Sequence, residues 1–332
     1  ILDGMNLLGN PYPCDINWDS ETGWTKSNLN GAIYIWDVSQ NQFRVYINGY
    51  GINGGSALIH TGEAFWVQAN GSNPVLSINE EAKAPTWTTI VNTSDDFLKM
   101  SMVGATSTDQ FIVAFNESAS NTYESQTDAF KFFSDASVPN VATRSEDDIN
   151  LSVNSLDLGN GGFTIPVVIH SPNGGDFLMT RNNFPVLSVE VCIAIEDLET
   201  GLFYDLASTA SIPFTTEPVE EEVRFMIHVG TPITANPTDV ACYGLGDGSI
   251  VAQGSGSGPW DYNWYDESDT LIGSATGETG AITIEDLVPG TYTIEVLNND
   301  YCNALSGTVS IVEPMPIYII DYYVYDIDCD EE

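Results

Sequence analysis

The sequence predicts an all-β fold built as tandem β-sandwich, immunoglobulin-like domains. Apolar residues come in short alternating runs, the pattern of strands with one buried face. Glycine and proline, 29 and 16 residues respectively, punctuate those runs. Hydrophobic residues at 42% and aromatics at 11% supply enough core material to exclude a disordered chain despite its charge. A length of 332 residues suits two or three domains rather than one.

The elements follow in order. Residues 1–92 form a first β-rich domain, with strands at Ala32-Ile-Tyr-Ile-Trp-Asp37, Phe43-Arg-Val-Tyr-Ile-Asn48 and Gly62-Glu-Ala-Phe-Trp-Val67. Residues 93–231 form a second β-sandwich. Its strand Phe97-Leu-Lys-Met-Ser-Met-Val103 alternates only loosely, and Asp109-Gln-Phe-Ile-Val-Ala-Phe115, Asp128-Ala-Phe-Lys131 and Val191–Leu198 follow. Glu199-Thr-Gly201 is a turn signal. Val223, Phe225, Ile227 and Val229 then share one face, with Arg224 and His228 opposite on a wet side. Gly230–Pro237 is the linker to a third domain, residues 232–314. There Gly246-Asp-Gly248 makes a turn before the strand Ser249–Gln253. Pro289 and Gly290 stand where a type II turn wants them. Tyr292, Ile294 and Val296 face inward and Thr293 and Glu295 outward. Residues 315–332 are a linker and the start of a further repeat, with Tyr318–Tyr325 strand-like and able to pair with a neighbour.

Two sets of motifs carry a resemblance. Asp239-Val-Ala-Cys-Tyr-Gly-Leu-Gly-Asp-Gly-Ser-Ile, Trp260-Asp-Tyr-Asn-Trp-Tyr, Leu287-Val-Pro-Gly-Thr-Tyr-Thr-Ile-Glu-Val and Asp300-Tyr-Cys302 resemble the SprB-type repeat of gliding-motility adhesins of Bacteroidota. Asn6-Leu-Leu-Gly-Asn-Pro-Tyr-Pro-Cys-Asp and the three strands of the first domain are similar to a β-rich region of type IX-secreted surface proteins. Cys14 departs from the usual serine there, and Glu63 from the usual glutamine. The resemblance implies an extracellular, cell-surface protein exported by the type IX secretion machinery, a non-catalytic adhesin segment with a polysaccharide or surface as ligand. Two other readings stay open: the accessory region of an exported glycan-degrading enzyme, and a self-assembling filament subunit.

A small third domain would gain from a covalent staple. Cys242 and Cys302 lie near its two ends, and their bond would contribute about 4 kcal/mol on the chain-entropy model. The alternative is two buried thiols. Cys14 either pairs with Cys192 or is a small buried residue. Asp326-Ile-Asp-Cys329 echoes Asp239-Val-Ala-Cys242 at a period of 329 − 242 = 87 residues, which implies an array of modules. The opening Ile1 without a methionine implies an excised segment.

Eight Lys and Arg against 47 Asp and Glu leave a net charge of −39. Such a chain repels nucleic acid and anionic membranes, and no apolar run reaches the ~20 residues of a membrane span. The carboxylates serve solubility in a salty medium, or bind Ca²⁺, or both. Asp15, Asn17 and Asp19 match the first half of a calcium loop, after which Ser20 and Lys26 depart from it. Asp266 and Asp269 form a second candidate calcium cluster at a hairpin tip. For the first, the alternative is turn stabilisation through the residues' own backbone bonds; for the second, it is a solvated loop.

Catalytic signals are weak. His60, His170 and His228 read as strand residues, and Gly-x-Ser-x-Gly, His-Glu-x-x-His and Cys-x-x-Cys motifs do not occur. Carboxylates are too many to single out a glycosidase pair. Trp260, Tyr262, Trp264 and Tyr265 either stack a sugar or pack a small core. Asp269-Thr-Leu271 resembles a Bacteroidota O-glycosylation site.

Overall fold

The computed structural model of the chain describes residues 4–84, 96–134, 138–158, 163–187, 191–230, 234–254, 259–298, 302–303, 307–318 and 321–323. The regular structure of the described residues is almost entirely strand, as the alternating sequence requires, with one short 3₁₀ turn at Glu80–Ala82. No helix among them is long and apolar enough to cross a membrane. The chain divides into two compact units, Ile1–Pro232 with Asn299–Asn303, and Ile233–Asn298 with Ala304–Glu332. The stretches expected as separate domains at 1–92 and 93–231 thus fall in one unit, for a reason visible in their packing.

In the first unit a five-stranded antiparallel sheet runs Met5–Gly9, Ala64–Gln68, Ile33–Asp37, Gln42–Ile47, Tyr50–Ile52. One face places Ile33, Ile35, Tyr46, Phe65 and Val67 against Ile16, Trp18 and Ile59. Two short ladders, Ile16–Asn17 with Leu58–Ile59 and Trp24–Ser27 with Val75–Ile78, belong to that side. The opposite face carries Ala32, Tyr34, Val45, Ile47 and Ile52, which share a core with Ile112, Ala114, Phe130, Leu151 and Val153 from the second stretch. Neither stretch buries its own apolar face alone.

The partner of that face is an 11-stranded sheet. Leu98, Met100, Met102, Phe111, Val113 and Phe115 line its other side in a separate core. The strands Phe97–Val103 and Thr108–Phe115 are therefore covered on both faces, which accounts for their loose alternation. The sheet also folds over. Ser211–Thr216 and Val219–Gly230 stand seven strand spacings apart in the order, roughly 34 Å at the usual spacing. Yet the rings of Phe214 and Phe225 meet edge-on at 4.9 Å, so its two ends close on one core in a sandwich-like wrap.

A polar tie crosses the shared core. Asp109 is fully buried; its Oδ2 accepts from Lys131 Nζ and from the Val141 N–H at 2.7 Å. Its Oδ1 accepts from Asn53 Nδ2 at 2.8 Å. Asn53, in the left-handed region at φ 54°, also donates its N–H to Gln110 Oε1 at 3.0 Å.

Arg224 corrects the expected wet face. The ladder with Phe163–Ser171 shifts register there, pairing Val167 with Phe225 but Val168 with Val223. The resulting bulge re-aims the extra residue. Arg224 is buried against Asp197 at 2.9 Å, also pairs with Glu199, and lies over the Phe214 and Phe225 rings. Phe225, Ile227 and Val229 reach the core, whereas Val223 does not.

The second unit has two sheets around one core, a sandwich-like arrangement. One runs Thr234–Thr238, Gly248–Gln253, Ile282–Leu287; the other includes Leu271–Glu278, Trp260–Tyr265, Gly290–Asn298 and Gly307–Ile311. Counting these seven in chain order gives 1-2-5 and 4-3-6-7, a Greek-key connection of the immunoglobulin-like kind. Ile250, Trp260, Tyr262, Ile284, Tyr292, Ile294 and Ile311 fill the space between. Near the start of the sixth strand Tyr292 donates its hydroxyl to the Val288 carbonyl at 2.7 Å, the tyrosine corner of such sandwiches. Tyr292→Phe is expected to cost this unit about 1 kcal/mol in urea unfolding, the net worth of one hydrogen bond; an unchanged midpoint would show the corner to be idle.

Two turns differ from expectation. Gly290 does not take the positive φ of a type II turn; Asp286 does, at 59°. At Gly248 the requirement is space, since a Cβ would stand 2.8 Å from Ile311 Cγ2 and 2.9 Å from the Leu287 carbonyl oxygen. Cys242 is an exposed free thiol, so the expected staple to Cys302 is not formed in this structure; the Cys302 side chain lies outside the described residues. Cys14 is likewise free, while Cys192 is disulfide-bonded, so these two do not pair. The repeat start expected at Asp326–Cys329 lies outside the described residues.

Candidate functional site

A cleft of about 220 Å³ opens in the first unit where a ladder stops. Asn140–Arg144 pairs with Phe163–Ser171 from Asn140 opposite His170 to Thr143 opposite Val167. The next pair in register would set Arg144 against Pro166, and it is not made. Proline has no N–H to give a ladder, so pairing ends there. On its other edge Arg144 stays paired with Asn150, by backbone register and by its Nε on Asn150 Oδ1 at 3.0 Å. Phe163 to Pro166 stay paired on their far side to Met226–Val229. The cleft fills the gap on the near side.

Its floor is the end of the folded-over core: Leu156 and Ile165 are buried, Phe163 half-buried. Its polar lining comes from Asn121, Arg144, Ser145, Glu146, Asn154 and Thr164. Most of these groups are already tethered. Asn121 Nδ2 donates to Glu146 Oε1 at 2.8 Å, and Ser145 Oγ to Asp147 Oδ1 at 2.6 Å. Arg144 also lies 3.5 Å from Glu221. Asn154, 2% exposed, completes the lining. The lone proline inside an apolar run was the available signal in the sequence.

The calcium candidates do not converge. Asp15 takes His60 Nδ1 at 3.0 Å and the Thr61 N–H at 3.1 Å. The His60 hydrogen bond holds its carboxyl below the usual range, with Thr61 helping and burial opposing. Asn17 Oδ1 accepts the Asp19 N–H at 2.9 Å, and Asp19 accepts the Tyr46 hydroxyl. Asp266 caps its own turn through the Thr270 and Ser268 N–H groups, which lower its pKa in that order, and Asp269 is in the left-handed region at φ 56°. Among the described residues no three His, Cys, Asp or Glu side chains gather as a metal set. Adding Ca²⁺ or a chelator is expected to leave the melting temperature unchanged; a rise with Ca²⁺ would restore these residues as ligands.

The other candidates are equally dispersed. Trp260 and Tyr262 are buried core, Trp264 packs against it, and Tyr265 donates to Glu295 at 2.9 Å, so no exposed aromatic stripe forms. His170 stacks on Phe133, and His228 meets Glu196 at 2.9 Å on a different strand pair. Thr270, of the glycosylation-like tripeptide, is exposed.

One buried acid titrates in an accessible range. Asp128 is 1% exposed, and burial pushes its carboxyl up to about 7, against the Glu124 and Ser155 N–H groups that donate to it. The folded state therefore binds the extra proton between about pH 4 and 7, and stability falls as pH rises through that window. Asp128→Asn removes this slope, so its stability deficit relative to the parent is expected to narrow from pH 4 to pH 8. A constant deficit in urea titrations would contradict the assignment.

No protein-family model matches the chain, and no curated protein matches it significantly.

Proposed function

We propose that this chain is a non-catalytic, modular segment of an exported cell-surface adhesin, projecting from the cell and binding polysaccharide or another surface. The observation that carries the reading is the second unit. Its Greek-key order and Tyr292 corner give the stretch that resembles an SprB-type repeat a stiff immunoglobulin-like build suited to a spacer or binding module. The charge of −39 fits a screened, salty exterior. Export by the type IX machinery follows from the same resemblance.

Beads coated with the chain should be retained under flow on polysaccharide-coated or bare surfaces more than beads coated with a charge-matched control. Equal retention would sink the adhesin reading. Release of reducing sugars by the full-length polypeptide would favour the accessory region of a glycan-degrading enzyme.

A filament subunit is the second reading, favoured by one observation. Met315, Ile317, Tyr318, Tyr322 and Tyr323 are 75–98% exposed, far more apolar surface than a solvated segment needs. As a donated strand it would pair with an edge of another copy. Sedimentation showing growth with concentration, lost on removing residues 315–332, would establish it.

A further inference from the structure

The polar tie in the shared core brings an amine, a carboxamide and a carboxyl group together out of water. Lys131 Nζ donates to one oxygen of Asp109, and Asn53 Nδ2 donates to the other at 2.8 Å. We propose that Lys131 and Asn53 join in an intramolecular isopeptide bond, with Asp109 as the catalytic residue that moves the protons. The bond ties the first stretch of the unit to the second across the core they share. It does not rest on the adhesin reading.

Three features point to it. An ammonium has three N–H donors, yet the Lys131 side chain, 5% exposed, uses one of them among the described residues, on Asp109. An amide nitrogen in its place has a single N–H and leaves no donor unpaired. Asn53 is 7% exposed, and its Oδ1 is buried without a hydrogen-bond partner among the described residues. A proton on Asp109 supplies the donor this oxygen lacks and draws electrons from Cγ. Asn53 is also held in place. Its N–H donates to Gln110 Oε1 at 3.0 Å, and its Nδ2 reaches the Phe43 carbonyl at 3.2 Å as well. Holding amine and carbonyl on one carboxylate stands in for an effective concentration on the order of 10⁵ M or more.

In the reaction Lys131 first passes a proton to Asp109, leaving a neutral amine beside a carboxylic acid. The Nζ lone pair attacks Asn53 Cγ, and the new C–N bond forms. Asp109 gives its proton to Nδ2 and takes another from Nζ; the Cγ–Nδ2 bond breaks and ammonia leaves. Lysine ammonium, carboxamide and carboxylate become an amide, ammonia and a protonated Asp109, with no further reactant. Until the bond closes, Lys131 and Asp109 remain the ion pair described above, and ion-pair energetics apply to that open form.

Two other condensations use the same groups. Asp109 as the electrophile would release water, but a carboxylate resists nucleophiles, and consuming it leaves no group to move the protons. The Gly54 nitrogen could attack Asn53 Cγ, closing a succinimide with loss of ammonia but joining nothing to Lys131.

The test weighs the whole chain, kept folded at neutral pH until its mass is constant and then denatured for mass spectrometry. It should be lighter than its sequence mass by one ammonia, and a digest should contain a branched peptide joining Asn53 to Lys131. Lys131→Arg keeps the positive charge without a nucleophilic amine, and should show the full mass and no branched peptide. Asp109→Asn should close about a hundredfold more slowly, the scale of a lost acid–base group. Full mass in the parent overturns the proposal whether or not either variant folds. So does loss of one water in place of ammonia, or an ammonia loss that persists in Lys131→Arg, the mark of the succinimide. Closure of Asp109→Asn at the parent's rate would overturn the catalytic role of Asp109.

Discussion

Lys131→Met is expected to lower the stability of the first unit by about 3–5 kcal/mol, the usual cost of breaking a buried ion pair from one side. Lys131 and Asp109 have side chains 5% and 0% exposed, so the remaining carboxylate would have no water to turn to. Urea unfolding followed by tryptophan fluorescence measures the change. The double variant Lys131→Met, Asp109→Leu should recover only part of the loss. It removes the stranded charge, but the Val141 N–H and Asn53 Nδ2 then lose their acceptor, at about 1–3 kcal/mol for each buried group. A single-variant loss under about 1 kcal/mol would mean that the pair is hydrated and that the tie is weak.

The second large effect concerns a fragment. Residues 93–231 made alone should fail to fold as a soluble monomer, while residues 1–231 should unfold in one cooperative step. Cutting the first stretch away uncovers Ile112, Ala114, Ala129, Phe130, Leu151 and Val153 on one face of the large sheet. It also removes the Tyr34 hydroxyl that accepts the buried Phe130 N–H at 2.9 Å. An apolar face of that kind associates or stays loosely packed. The fragment should bind a hydrophobic dye and elute as aggregate in size-exclusion chromatography. A sharp melt of 93–231 at the temperature of 1–231 would show two independent domains after all.

The contrast between strands and partners explains what could be read in advance. Period-two runs place Tyr292, Ile294 and Val296 inside the second unit, and the structure buries all three. The all-β class follows from the same local rule. What escaped was long-range. Leu98 and Phe97 look like a blurred alternation because each faces a different core, and no local window holds both. Arg224 changed sides through a bulge, which a strict alternation cannot contain. The Cys242 pairing failed because nearness to a domain's ends in sequence does not fix where a thiol points. Asp15, Asn17 and Asp19 have a ligand-like spacing, yet each is bound by a donor closer to hand. The cleft carried no local signal, since it opens where Pro166 fails to pair with Arg144, a residue 166 − 144 = 22 positions earlier in the chain.

The shared core between the two stretches also sets an order of events in synthesis. A polypeptide emerging amino-terminus first presents Ala32, Tyr34, Val45 and Ile47 more than a hundred residues before Leu151 and Val153 arrive to cover them. Contacts so distant along the chain close slowly. The nascent first sheet must therefore be shielded, by a chaperone or by delay, until the chain has grown past residue 153.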